Sequence, residues 1–443
     1  MFEKDFQFIF DYAAGKVDDI EIYLSLSNAF SVRVNQQKIE DFKYADANGL
    51  SVRVIQKGVE GYAYTERLDE EAYKLVVDEA LKNSSYTDSD EEVILDNFPP
   101  ASREVDEYNP QLEKISVEER IAFAKKVERI ARDADPRVIN IPMTVLGNAT
   151  VTKKIANSKG LKKEDTANYM YAYTGVLAGN DEEKRMSYET LMIKDITAMD
   201  ADALARTAVK KTVDLLDSKP VETGMYSVVL NNEMMADMMS TFAGVFSAQA
   251  VQEGRSLFAG KLTTQVANDK ITIIDDGLYP GGFATSAFDG EGYPSMTTML
   301  IENGVLRSYL HNTKTARKEG VESTGNASRS YKGPVGISTT NFYLKPGETS
   351  RKELFATHPQ IIEIVSLQGL HSGANTISGD FSLSGEGFLW ENGVRQYSLK
   401  TFTVSGNFLK MLNNTEAVGD DFKFNTSSFG APSVLVGTLS ISG

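Results

Sequence analysis

The last third of the chain alternates apolar residues with small polar ones and interrupts the alternation with glycine at short intervals. Its densest stretch is Leu370-His371-Ser372-Gly373-Ala374-Asn375-Thr376-Ile377-Ser378-Gly379-Asp380-Phe381-Ser382. Gly385-Glu386-Gly387-Phe388 and Glu391-Asn392-Gly393-Val394 follow. Alternation of period two is strand patterning, and Gly and Asn-Gly supply the left-handed conformations of tight turns. The stretch therefore predicts tight β-hairpins that present backbone, not large side chains, to whatever faces them. Asn303-Gly304, Pro346-Gly347 and Asn392-Gly393 punctuate further short strands, so residues 221–443 are expected to be strand-dominated.

The first half reads differently. Phe2, Phe6, Ile9, Phe10 and Ala13 share helical spacing over residues 2–14. Residues 20–64 are strand-rich, with Ser31-Val32-Arg33-Val34 and Ser51-Val52-Arg53-Val54 alternating and Ala47-Asn48-Gly49 as the expected turn. Asp69 is the expected cap of a helix running to about Leu81, with Ala72, Leu75, Val76 and Ala80 on its inner face. Residues 117–133, 138–193 and 200–216 repeat the order helix, strands, helix, with a turn at Ser158-Lys159-Gly160-Leu161. This is consistent with an internal duplication, and equally with an α+β chain that reuses one layout. Residues 85–113 read as a long connecting loop. Asp217-Ser218-Lys219-Pro220 ends a helix before the strand Tyr226–Leu230. The expectation is an α+β protein. Residues 1–220 form an N-terminal α/β domain of helices and antiparallel meanders; residues 221–443 form a mostly β C-terminal domain that opens with one strong helix over 232–250.

Composition excludes several functions. The net charge is -16, without a basic cluster, which argues against binding nucleic acid. No cysteine is present, so disulfides, thiolate metal ligands and thiol nucleophiles are ruled out. No apolar run is long enough for a membrane span, and the acidic start Met1-Phe2-Glu3-Lys4-Asp5 lacks the basic, then apolar, order of a signal peptide. A cytoplasmic protein is expected. There is no phosphate-binding glycine loop and no G-x-S-x-G elbow.

Few residues carry obvious chemistry. His311, His358 and His371 match no helical or ribbon metal spacing. His358 precedes Pro359 in an expected surface loop. His371 can hydrogen-bond a substrate backbone, orient its loop, or join Ser372 and Asp380 in a Ser/His/Asp arrangement. Asp275-Asp276-Gly277 and Asp289-Gly290-Glu291-Gly292 lack the ligand spacing of a calcium loop and read as polar turns. Met234, Met235, Met238, Met239, Phe242, Val245 and Phe246 give the helix after Asn231 an apolar stripe suited to a core or an interface.

The glycine-rich stretch around His371 resembles the TldD/PmbA family, once described as modulators of DNA gyrase, and within it the PmbA or TldE branch. Other segments carry the same resemblance: Ser256-Leu257-Phe258-Ala259-Gly260, the E-N-G-x-L-x-x-Y-L pattern of Glu302–Leu310, and the T-G-N-x-x-R pattern of Thr324–Arg329. Ile274–Gly277, Phe288–Gly292, Gly406-Asn407 and Val418–Asp421 add to it. In the TldD branch the helix before S-V-F-S-G carries H-E-x-x-x-H, two metal ligands and a water-activating glutamate. Those positions fall here on Met239, Ser240 and Gly244, and no histidine precedes His311. The resemblance thus implies a subunit with no metal and no catalytic residue of its own. It implies a TldD-like paralogue as partner in a heterodimer, a metal (zinc) held by that partner, a homodimer when the chain is alone, and unfolded or extended peptides as substrate. The substrate-contacting residues it implies are Gly325, Asn326, His371, Ser372, Gly373, Asn375, Ser378 and Gly379. Two other readings remain open: a self-sufficient hydrolase using His371 with a serine or carboxylate, and a non-enzymatic peptide-binding or scaffold protein.

Overall fold

The computed structural model describes residues 2–86 and 94–443. Helix α1 (Phe2–Ala13) leads into strands β1 (Asp19–Asn35), β2 (Lys38–Gln56) and β3 (Val59–Thr65), and α2 (Glu70–Ser84) closes this unit. Of the expected loop over 85–113, residues 87–93 lie outside the described residues, and its end forms a short helix, α3 (Pro110–Glu113). The plan then repeats as α4 (Val117–Asp133), β4 (Val138–Asn157), β5 (Lys162–Gly179), β6 (Lys184–Ile193) and α5 (Ala201–Val213). The strands form one sheet in the order β3-β2-β1-β4-β5-β6, with β1 and β4 antiparallel at its centre. Each three-strand unit therefore sits beside the other as a repeat of the same layout.

Local chemistry explains the helix starts. The Asp69 carboxylate accepts from the Ala72 amide, and Ser116 forms a reciprocal capping box with Glu119. On β1 the residues that share one face meet the helices. Ile20, Ile22 and Leu24 pack with α1 and α2, whereas Phe30, Val32 and Val34 pack with α4 and α5. The opposite face carries Glu21 and Tyr23 and packs on the second half of the chain.

Two local expectations fail here. Ala47-Asn48-Gly49 is not a turn but lies inside β2, opposite Ser25 to Ser27. The turns are instead at Gln36-Gln37 and Lys57-Gly58, all in the left-handed region. Gly49 is required by a close approach: a Cβ there would lie 2.2 Å from the Tyr331 ring. Leu75 is 62 % exposed, and Tyr73 and Val77 take the inner face beside Ala72, Val76 and Ala80.

The second half begins with β7 (Gly224–Leu230), α6 (Asn232–Phe242) and α7 (Ala248–Gln252). The expected single helix over 232–250 is broken by a 3-10 turn, Ala243–Phe246, and by the extended Ser247. Then come β8 (Ile273–Asp276), β9 (Thr297–Glu302), β10 (Val305–Leu306), α8 (Thr313–Glu319), β11 (Ala327–Ser328), β12 (Gly336–Ile337) and β13 (Asn341–Leu344). They are followed by α9 (Arg351–Ala356), β14 (Gln360–Gln368), α10 (Leu370–Gly373), β15 (Asp380–Glu391), β16 (Val394–Asn407) and α11 (Phe408–Asn413). The chain closes with β17 (Ala417–Val418), β18 (Lys423–Phe424), β19 (Phe429–Ala431) and β20 (Val434–Ser442).

One sheet runs β10-β9-β8-β13-β19-β18; the other runs β16-β15-β14-β7-β20-β17, and an added β16–β20 pairing closes it into a barrel. Asn303-Gly304 and Asn392-Gly393 are tight hairpin turns with both residues left-handed, as their sequence requires. Helix α6 packs between the two sheets. Met235, Met238, Met239, Phe242, Val245 and Phe246 are all buried there, with Phe242 stacked on Phe408 at 4.3 Å. The architecture is α+β, helices and an antiparallel sheet followed by a β-rich half.

Candidate functional site

The glycine-rich segment is strand only at its end. Leu370–Gly373 is a helical turn, residues 375–379 loop back so that Ala374 bridges Phe381 antiparallel, and the segment enters β15 at Asp380. The loop is folded on its own polar groups. The Asn375 side-chain oxygen accepts from the amides of Ile377 (2.9 Å) and Ser378 (3.1 Å). Asn407 donates to the Ser378 carbonyl (3.0 Å) and to the Asp380 carboxylate (2.9 Å). The bonds from Asn407 and Ser378 hold the Asp380 carboxyl below its ordinary range. Residues 372–377 and 380–382 line an open groove of about 550 Å³ that exposes Ile377.

The structure brings α10 against α6, the helix that carries Met239 and Ser240; Gly244 lies just beyond it, in the 3-10 turn. Met239 is buried in the core, Ser240 is half-buried, and Gly244 is exposed with no atom within 4 Å of where a Cβ would stand. These residues do not fit a metal: a buried thioether, one hydroxyl and no third donor. Among the described residues, no group of three or more His, Asp or Glu is placed to hold an ion.

A Ser/His/Asp relay is not assembled either. His371 is exposed and forms no side-chain hydrogen bond among the described residues, while Asp380 is occupied by Asn407 and Ser378. His358 meets Glu416 at 2.6 Å near the surface, and His311 is buried beside Glu319. Burial pushes His311 below its ordinary range.

Gly325 and Asn326 lie elsewhere, lining a cavity of about 220 Å³ that shares no residue with the groove. Asn326 is buried, and its amide donates to Asp275 (3.2 Å) and to the Ser338 carbonyl (3.1 Å). Asp275 is not a turn residue but a buried one in β8; Asp289 does open a turn, with the Gly292 amide donating to its carbonyl (3.1 Å), and is half-buried in the cavity that Tyr23 and Lys153 also line. Burial raises Asp275 to about 6, against hydrogen bonds from Thr340 and Asn326. Burial and the Glu291 charge raise Asp289 to about 8, against the amides of Glu291, Ala327 and Tyr293.

The consequence for stability has a definite sign. Between their unfolded value near 4 and these folded values, the native state holds protons that the unfolded chain has released. Stability contributed by these groups is complete below pH 4 and lost as pH rises through 6 and 8. Urea midpoints between pH 5 and pH 8.5 are therefore expected to fall with pH. Asp289→Asn should flatten the upper part of that slope whatever it does to the midpoint itself; an unchanged slope would count against this account.

Sequence reasoning missed the charged seam itself. Arg53 is buried, with Glu21 at 3.0 Å, Glu291 at 3.2 Å and Glu60 at 3.4 Å; Arg329 meets the same Glu21 at 2.5 Å. The available signal was Arg53 in the middle of Val52-Arg53-Val54, a charge inside an apolar strand run. Ser286 Oγ donates to Asp165 (2.6 Å) and accepts from Lys153 (2.9 Å), an arrangement with the outline of a serine–lysine dyad. Asp165 also pairs with the Lys153 ammonium at 3.7 Å. A paired ammonium has no lone pair with which to take the serine proton, so the trio is a tie between the halves.

Models of the PmbA/TldA metallopeptidase match three successive parts of the chain: domain 1 over residues 20–84, the central domain over 110–216 and the C-terminal domain over 223–443. The chain belongs to the PmbA/TldD family. Within it, the Haemophilus influenzae metalloprotease PmbA homolog is 26% identical over 434 residues, covering 96% of this chain and 92% of that one. A Thermotoga maritima crystal structure, described as a modulator of a DNA gyrase, is 31% identical, matches over 100% of both chains and superposes with a TM-score of 0.92. TldE from Thermococcus kodakarensis shares the fold, with a TM-score of 0.89 at 20% identity over 100% of both chains. No helix among the described residues is long and apolar enough to cross a membrane.

Proposed function

We propose that this PmbA/TldD-family chain is the metal-free, TldE-like subunit of a two-component metallopeptidase. Its partner would be a TldD-like paralogue that carries H-E-x-x-x-H and the metal, and the pair would cleave unfolded or extended peptides. One observation carries this reading: the three motif positions, on α6 and the 3-10 turn after it, are Met239, Ser240 and Gly244, in a chain without cysteine. The groove next to that helix supports a role in holding substrate. It is lined mostly by small residues, Ser372, Gly373, Ala374 and Ser382 among them, which suit recognition of an extended main chain over particular side chains.

The test is cleavage of a disordered peptide by the purified chain, alone and mixed with the motif-bearing paralogue, with and without chelator. Activity is expected only in the mixture and is abolished by chelator. Chelator-resistant cleavage by this chain alone would sink the proposal. Within an active mixture, Gly373→Ala with Asn375→Ala should reduce cleavage several-fold, because residue 373 has no room for a Cβ (2.3 Å from the Ser382 carbonyl) and Asn375 organises the loop. Unchanged cleavage would remove the groove from the mechanism.

A further inference from the structure

The cavity of about 220 Å³ where the two halves meet has more hydrogen-bond donors than its own walls satisfy. It lies between the N-terminal sheet, at Tyr23 and Lys153, and loops of the second half that carry Asp289, Ser295 and Arg329. Tyr23 is 4% exposed and Ser295 3%, and neither hydroxyl has a hydrogen-bond partner among the described residues. The Arg329 side chain is fully buried; its terminal nitrogens serve Glu21 and Ser51, and its Nε has no partner. The guanidinium lies over the Tyr23 ring, 4.9 Å from its centre, so two of these donors are neighbours. Buried donors are nearly always bonded, because leaving one unbonded costs its full desolvation. The same cavity has an unmatched negative group. Asp289 accepts from the amides of Glu291, Tyr293 and Ala327, each at 2.9 Å, but no ammonium or guanidinium pairs with it among the described residues. Lys163, which feels the Asp289 charge, bonds instead to the Pro99 and Gly292 carbonyls. Burial and the Glu291 charge therefore raise the Asp289 carboxyl with no cation to offset them.

We infer that this cavity binds a small free α-amino acid, its carboxylate on Tyr23, Ser295 and Arg329 and its ammonium on Asp289. Each simpler occupant leaves something unmet. Water satisfies the donors but gives Asp289 no countercharge. An inorganic oxyanion or a plain carboxylate answers the donors but sets another negative charge beside Asp289 and Glu291. An amine answers Asp289 and leaves the donors unbonded. An α-amino acid at neutral pH carries both charged groups on one carbon and has no net charge to bury. Lys153 and Ser286 are not needed for it, since they are bonded to each other and to Asp165. The cavity is small for a ligand pocket, so the side chain must be short, as in glycine or alanine. It shares no residue with the groove around Asn375, so this inference stands independently of the proteolytic reading.

Titration calorimetry on the full-length protein tests this with L-alanine, propionate and ethylamine as probes. L-alanine is expected to bind and to raise the thermal midpoint by mass action. Propionate and ethylamine, each carrying half of the recognised chemistry, should bind roughly tenfold more weakly or worse. Tyr23→Phe and Ser295→Ala each delete one hydroxyl and leave the rest of the side chain in place. Each should weaken L-alanine roughly tenfold, the loss of one buried hydrogen bond to a charged group. Propionate or ethylamine that binds as well as L-alanine overturns the assignment, since one end of the ligand would then go unread. L-alanine binding that both variants leave unchanged overturns it too, because the ligand would sit elsewhere. So does the absence of L-alanine binding at millimolar concentration.

Discussion

Arg53→Met is expected to destabilise the protein by about 3–5 kcal/mol, the usual cost of removing one partner from a buried ion pair. Arg53 is the hub of the seam between the two halves, serving Glu21 and Glu60 from the N-terminal sheet and Glu291 from the second half. Without it, Glu21 keeps Arg329, but Glu291 is left buried with, among the described residues, only the Thr313 amide as a donor to its carboxylate, at 2.9 Å. Methionine fills much of the volume, so lost charge and not lost packing should dominate. Urea or guanidinium unfolding at pH 7 measures the loss. Adding Glu291→Leu should recover part of it, because the stranded carboxylate is then gone. A loss below about 1 kcal/mol would mean that water reaches the seam and screens it, as at surface pairs.

Gly387→Ala is the second large effect, expected to cost about 3 kcal/mol, the upper range for forcing an atom into a packed interior. Gly387 lies in β15 opposite Ile364, at an irregularity in the β14–β15 register. A Cβ there would stand 1.8 Å from the Glu363 carbonyl oxygen and 3.2 Å from the Ile364 Cα, so backbone must move. Strand β14 carries the buried Ile361, Ile362 and Ile364, and its Glu363 accepts from Trp390 Nε1 at 2.9 Å. Trp390 is the chain's single tryptophan and stacks on Phe355 at 3.9 Å. Its fluorescence should therefore report both the lower midpoint and the altered environment. Full stability with unchanged emission would mean that the strand absorbs the methyl group by a local shift.

These two sites mark where local pattern stops being readable. Glycine in a strand region carries two meanings that the sequence does not separate. At Asn303-Gly304 and Asn392-Gly393 it makes the turn, and alternation on either side identifies the hairpin. At Gly49 and Gly387 it admits a neighbour, Tyr331 in one case and the Glu363 backbone in the other, from parts of the chain that no local window contains. Ala47-Asn48-Gly49 therefore has the pattern of a turn but continues as strand. Leu75 fell on the wrong face because Tyr73 and Val77 shift the inner stripe of the helix, and a few apolar residues do not fix the rotation of a stripe by themselves. Asp-Gly is a turn dipeptide, and Asp289 does open a turn, but the pattern shows neither that Asp275 sits in a strand nor what surrounds the two carboxylates. Those surroundings come from segments that arrive from Ala327 and Thr340.

What the sequence determined alone is the material of each element and the chemistry it withholds. Helical and strand periodicities, the Asp69 and Ser116 caps, the repeated helix–strand–helix layout and the switch to a strand-dominated second half follow from local propensity, which acts within a few residues. The absence of cysteine, and of any histidine at the metal-motif positions, follows from composition and needs no fold. Tertiary structure decided the rest: it set α10 of the His371 loop against α6, placed Asn326 at a separate cavity and buried Arg53 among three carboxylates. Each of these depends on which distant segment supplies a donor, a charge or a strand. Burial and electrostatic pairing are properties of residues brought together in space, so no stretch of sequence carries them by itself.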